Sequence, residues 1–139
     1  MSVYPWRKRE TRHFGAMYRP SVDLQLLAKD GKWLTLQCEL DSGAVITLLP
    51  RSIAGVLGIN LVDGRAIELS SVGGQKITAH VHSVQAKIGL FDHISVPVAI
   101  ADSDDVPHLL GWLGIFDTYR VDFDPVAQTT RITEGLNTK

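Results

Sequence analysis

One short segment, Leu40-Asp41-Ser42-Gly43-Ala44, sets a carboxylate, a hydroxyl and a glycine between two apolar runs, residues 33–40 and 45–49. A carboxylate in apolar surroundings is costly unless it is paired, hydrogen-bonded or neutralised, so this residue in this setting points to acid–base work. One carboxylate cannot take a proton and give one at the same moment, so acid–base work of both kinds would ask for a second acid close by. The chain has no second Asp-Ser-Gly. Asp102-Ser103-Asp104-Asp105 comes nearest, but it lacks the glycine and reads as a solvated acidic loop. His80-Val81-His82 suggests different chemistry, since i,i+2 spacing on a strand puts both imidazoles on one face. A metal there would need further ligands from His93, His108 or Cys38, which the sequence does not bring together.

The elements that must position these groups read as short β-runs broken by Gly, Pro, Asn and Asp. Residues 22–29 and 33–40 flank Asp30-Gly31 and predict a hairpin leading into the Asp41 turn. Residues 45–49 read as a buried strand, and 50–57 as a short helix with proline near its start and Gly58 at its end. Two extended segments, 66–72 and 75–88, bracket Gly73-Gly74 and predict a hairpin with a tip poor in side chains. A strand follows over 94–101, with Pro97 tolerable at an edge or bulge. Leu109-Leu110-Gly111 ends another strand, 112–116 reads as one or two helical turns, and 119–124 with 129–133 form a last hairpin.

In order and approximate spacing these segments resemble the retropepsin-like aspartic proteases. Leu40-Asp41-Ser42-Gly43-Ala44 resembles their catalytic turn, Ser71-Val72-Gly73-Gly74-Gln75 their flap tip, and Leu109-Leu110-Gly111 their hydrophobic-hydrophobic-glycine element. Residues 111–116 and 119–123 are similar to the short helix and last strand of cellular and bacterial members. The resemblance spans about residues 21–134. It implies a mainly β, closed-barrel acid-protease fold, one lobe per chain, with one or two short helices. It also implies an aspartic endopeptidase without cofactor, acting on peptides or proteins as a C2 homodimer whose two Asp41 residues share one site.

By the same resemblance Asp41 is general acid and base, Ser42 orients it, and the Gly43 backbone approaches the carboxylate to donate an N–H. Ser42 stands where Thr is commoner and keeps the hydroxyl. Val72, Gly73, Gly74 and Gln75 would form a lid touching the substrate. Ala44, Val45, Ile100 and Leu109 would line its pockets, with plain core packing as the competing reading. A noncatalytic binding or dimerisation module of the same fold is the alternative function.

The 139 residues suffice for one domain, too few for a two-lobed enzyme, and the composition, 45% hydrophobic and 21% charged, is that of a globular protein. The net charge of -1 exerts no general pull on nucleic acid or anionic membrane. Trp6, Trp33 and Trp112 are too scattered for a stacking platform. The charge is uneven: residues 1–20 carry five basic side chains against Glu10, a net of +4, leaving -5 on residues 21–139. This basic arm is expected to be solvated and partly disordered, with phosphate binding, partner docking or self-removal as its other readings. Its strand patterning is weak, as is that of residues 134–139, so the terminal strands of a dimer cannot be assigned; residues 21–134 form the domain and 135–139 a tail. No apolar stretch is long enough for a membrane span, and no apolar core of a secretory signal follows the basic cluster. Cys38, the single cysteine, is expected to be a buried thiol, and a cytoplasmic location is expected.

Overall fold

The structure, a computed structural model, describes residues 1–70 and 73–135. Twelve strands and one short helix follow in chain order: β1 (Ser2–Pro5), β2 (Arg7–Thr11), β3 (Gly15–Arg19), β4 (Ser21–Leu27), β5 (Trp33–Leu40), β6 (Thr47–Leu49), α1 (Ser52–Leu57), β7 (Arg65–Ser70), β8 (Lys76–Ile88), β9 (Ile94–Ala101), β10 (Leu109–Leu110), β11 (Tyr119–Asp124) and β12 (Thr129–Glu134). A 3-10 turn, Leu61–Asp63, lies between α1 and β7.

Six strands close into a barrel in the order β4-β5-β10-β6-β9-β8. The ring shuts where Leu24, Gln25 and Leu26 of β4 meet Ile88, Lys87 and Ala86 of β8. β7 extends the sheet beyond β8. Alternation fills the barrel: Val22, Leu24 and Leu26 of β4 point inward and are almost fully buried, as are Cys38 and Leu40 of β5 and Val96, Val98 and Ile100 of β9. The closed, mainly β lobe matches the expectation from sequence.

The β4–β5 hairpin turns where expected. Gly31 adopts φ 82°, and Asp30 Oδ1 accepts the Lys32 N–H at 2.9 Å. α1 ends at Gly58, whose left-handed conformation (φ 71°) suits glycine. Its start is capped from afar, because Asp104 Oδ1 accepts the Ser52 N–H at 2.7 Å; the acidic loop, read as merely solvated, therefore fastens a helix end. Pro97 lies just outside the β6–β9 ladder, which begins at Val98.

Two expectations need correction. Residues 112–116 form no regular helix: Leu113 is extended (φ -66°, ψ 118°) and Gly114 left-handed (φ 85°), so the segment is a kinked turn. A Cβ on Gly114 would stand 2.6 Å from Val96, and this tight seat bends the chain. The basic arm, whose strand patterning is weak, contains three strands. β1 pairs with β12 in a three-stranded sheet β1-β12-β11, and β2–β3 form a separate hairpin. Trp6 locks this first pairing by donating its backbone N–H to the Gln128 carbonyl and Nε1 to Thr130 Oγ1. Among the described residues no helix is long and apolar enough to cross a membrane.

Candidate active site

β5 and β6, which flank Asp41, are not neighbours in the barrel. β10 lies between them, parallel to β5 (Leu109↔Glu39, Leu110↔Leu40) and antiparallel to β6 (Leu109↔Leu48). The chain must therefore cross the end of β10 to pass from one to the other, and residues 41–46 make that crossing. Their backbone is held from below: Asp41 N–H donates to the Leu110 carbonyl at 3.0 Å, while Trp112 and Leu113 N–H donate to the Ala44 and Val45 carbonyls at 2.9 Å. Gly111 N–H donates to the buried Thr47 Oγ1 at 3.1 Å. Gly111 has no room for a side chain, since a Cβ would sit 2.6 Å from the Ile46 carbonyl carbon and 2.9 Å from the Ala44 oxygen.

Within this crossing Ala44 N–H closes a tight turn onto the Asp41 carbonyl at 3.1 Å. Gly43 N–H donates to Asp41 Oδ1 at 2.9 Å and so fixes the carboxylate rotamer. Asp41 is half-buried, with Ser42 and Gly43 exposed. The apolar flanks suggested a submerged carboxylate, but β5 ends one residue earlier and the group reaches solvent in the single chain. The Ser42 hydroxyl makes no hydrogen bond to another described residue, whereas its carbonyl accepts the Trp112 indole Nε1–H. Trp112, which stacks at a tilt on Phe116 with ring centroids 5.5 Å apart, thus braces the turn from outside.

A second, smaller apolar cluster connects the turn to the β7–β8 hairpin. Its buried members are Leu48, Ala79, Ala99 and Ala101, and Ile46, Ile67, Leu69, Ile77, Val106 and Leu109 pack on them half-buried. Gly73, Gly74 and Gln75 are exposed at the hairpin tip, with Gly74 at φ 78°; Val72, which was grouped with them, lies outside the described residues. Of the other pocket candidates, Ala44 and Leu109 are half-buried beside the turn and Val45 is exposed. Ile100 is fully enclosed in the main core and has no surface to offer a ligand, which agrees with the core-packing reading.

Sequence reasoning missed Ile46, Ile67, Leu69, Ile77 and Val106. A signal existed for the hairpin members, because Ile67 and Leu69 alternate with polar residues on β7, opposite Ala79 and Ile77 of β8. His80 and His82 gather no metal set: His82 donates from Nε2 to the Leu61 carbonyl at 2.9 Å, and no group of three metal-binding side chains occurs among the described residues.

A family model described as aspartyl protease matches residues 29–114, which include the crossing turn, the β7–β8 hairpin and Gly111. The chain belongs to the aspartyl protease family. Among solved structures it is similar to a retropepsin-like aspartic protease from Rickettsia conorii, with 14% identity over 96% of this chain and 99% of that one and a TM-score of 0.59, which shows the shared fold. It also matches EIAV protease complexed with the inhibitor HBY-793, at 24% identity over 73% of this chain and 86% of that one, with a TM-score of 0.49. No curated protein sequence matches it. For a chain of this family the Asp-Ser-Gly turn is the place to look for chemistry, and its retropepsin-like lobe carries one such turn.

Proposed function

We propose that the protein is an aspartic endopeptidase in which the Asp41 residues of two identical chains face each other across a twofold axis. The observation that carries this reading is the Asp41 carboxylate, held by the Gly43 N–H on a turn that is half-exposed in one chain. Val45, Trp112 and Leu113, 69%, 50% and 41% exposed, form an apolar rim beside the turn that suits burial in such an interface.

The chemistry follows from two carboxylates sharing one proton. The ionised carboxylate takes a proton from water as the oxygen attacks the scissile carbonyl carbon. The protonated one gives its proton to the carbonyl oxygen. The resulting diol collapses, the C–N bond breaks, and the amine leaves with a proton returned by the pair. The Ser42 hydroxyl, which bonds no other described residue in one chain, is left to hydrogen-bond across the axis. The β7–β8 hairpin, with Gly73, Gly74 and Gln75 at its tip, acts as the lid, holding an extended peptide by strand-like hydrogen bonds and excluding water. Ile46, Ile67, Leu69, Val106 and Leu109 favour apolar side chains next to the cleaved bond.

The test is binding of a hydroxyl-bearing peptide mimic to the purified full chain, together with cleavage of a diverse peptide library. Stoichiometric binding of one mimic per dimer with Asp41-dependent cleavage supports the reading. Binding without cleavage at any pH from acidic to neutral would leave a noncatalytic module of the same fold.

A further inference from the structure

The basic hairpin β2–β3 carries more positive charge than the fold neutralises. Alternation puts Arg7 and Arg9 on one face, and the register places Arg19 directly opposite Arg7, so three guanidinium groups share that face. Like charges directly opposed across two strands destabilise a hairpin, and a two-stranded hairpin is marginal in water to begin with. One carboxylate, Glu39, meets two of the three. Glu39 Oε2 accepts from Arg9 Nη1 at 3.2 Å, and Glu39 Oε1 lies 2.9 Å from Arg19 Nε, though off line for a hydrogen bond and otherwise unpartnered. Arg7 and Lys8 have no carboxylate within 4.0 Å among the described residues.

These groups enclose a groove of about 500 Å³ between the hairpin and β5, whose lining includes Arg7, Lys8, Arg9, Arg19, Glu39 and His108. Its place is informative. Cys38 and Leu40 point into the core, so Glu39 is the last outward-facing residue of β5, two residues before Asp41. At roughly 3.3 Å per residue the groove opens about 7 Å from the catalytic turn. Its other wall, Val106 to His108, runs into Leu109, which belongs to the apolar cluster beside that turn.

We infer that this groove is a charge-selective subsite that binds an acidic side chain of the peptide substrate, two to four residues from the cleaved bond. The inference rests on the protease reading of the site. The occupant's charge is set by the surplus of the Arg7, Arg9 and Arg19 guanidinium groups over the single Glu39 carboxylate. Its extended form is set by the strand-lined approach. Arg is suited to the task, because its planar fork grips a carboxylate through two hydrogen bonds.

The experiment takes a peptide that the full-length protein cleaves, resynthesised with Glu, Gln or Lys at each position two to four residues from the cleaved bond. A hydroxyl-bearing mimic of each serves for binding. At one position kcat/KM should rank Glu over Lys by about tenfold or more at low ionic strength, a preference that fades toward 1 M salt. The charge-reversed variant Arg7→Glu, Lys8→Glu should invert the ranking, a readout that mere destabilisation of the hairpin would not produce. Cleavage without charge selectivity, or selectivity that the reversal leaves unchanged, overturns the subsite and spares the protease reading. Charge-selective binding of the mimics without cleavage does the opposite. A reversal that changes the dimer dissociation constant but not peptide selectivity overturns the subsite and assigns the groove to a second copy.

Discussion

Gly43 stands over Asp41 so closely that its N–H reaches Oδ1 at 2.9 Å and a Cβ in its place would lie 3.2 Å from the same oxygen. A methyl group there can be accommodated only if the carboxylate gives way. Gly43→Ala should therefore keep the fold, with a melting temperature near that of the wild type, while kcat/KM falls about 10²-fold through misplacement of the reacting oxygen. Parallel melting and cleavage assays check this, and an activity near wild type would mean that the contact does not set the carboxylate position.

Asp41→Asn removes the proton-transfer group and preserves shape. Cleavage should drop by about 10³-fold or more while circular dichroism and sedimentation stay unchanged.

Gly111 is buried, and a side chain there would strike the Ile46 and Ala44 backbone, which cannot rotate aside. Gly111→Ala should cost about 3 kcal/mol in urea unfolding, the upper end for overpacking, since the strand crossing itself must shift. A loss under about 1 kcal/mol would show that the crossing is plastic.

Trp112→Phe keeps an aromatic ring against Phe116 and deletes the indole N–H that holds the Ser42 carbonyl. One hydrogen bond of about 1 kcal/mol is lost, so stability should change little while kcat falls several-fold. Trp112→Ala also removes apolar rim, and its dimer should dissociate on dilution at concentrations where the wild type stays paired, as sedimentation velocity can measure.

Burial, with the Asp23 charge second, pushes the Cys38 thiol from 9.0 up to about 12. Burial likewise raises the phenols of Tyr4 and Tyr119. The native state thus holds these protons longer than the unfolded chain does. The stability Cys38 contributes is fully present below pH 9.0 and is lost as pH climbs toward about 12, with the tyrosines acting in the same direction at higher pH than their ordinary 10.0. The urea midpoint should fall across that window, less steeply in Cys38→Ala. A thiol reagent at pH 8 should label the unfolded chain quickly and the native one hardly at all.

Local chemistry alone specified much of this protein. Asp30-Gly31 demanded a turn, Gly58 ended a helix, the alternation in residues 22–26 and 94–100 named barrel walls, and Asp41-Ser42-Gly43 marked the site. Each of these is written in neighbouring residues, as a backbone preference or a period of two. Only the tertiary structure decided that β10 wedges between β5 and β6, that Gly111 must be bare, and that Trp112 braces a carbonyl 70 residues away. It also decided that the basic arm forms strands, which no period announced because β2 and β3 are exposed on both faces and neither alternates polar with buried apolar residues. Partners so distant in the chain are selected by closure of the whole barrel and by the pairing of charge across it, and no window of sequence contains that choice.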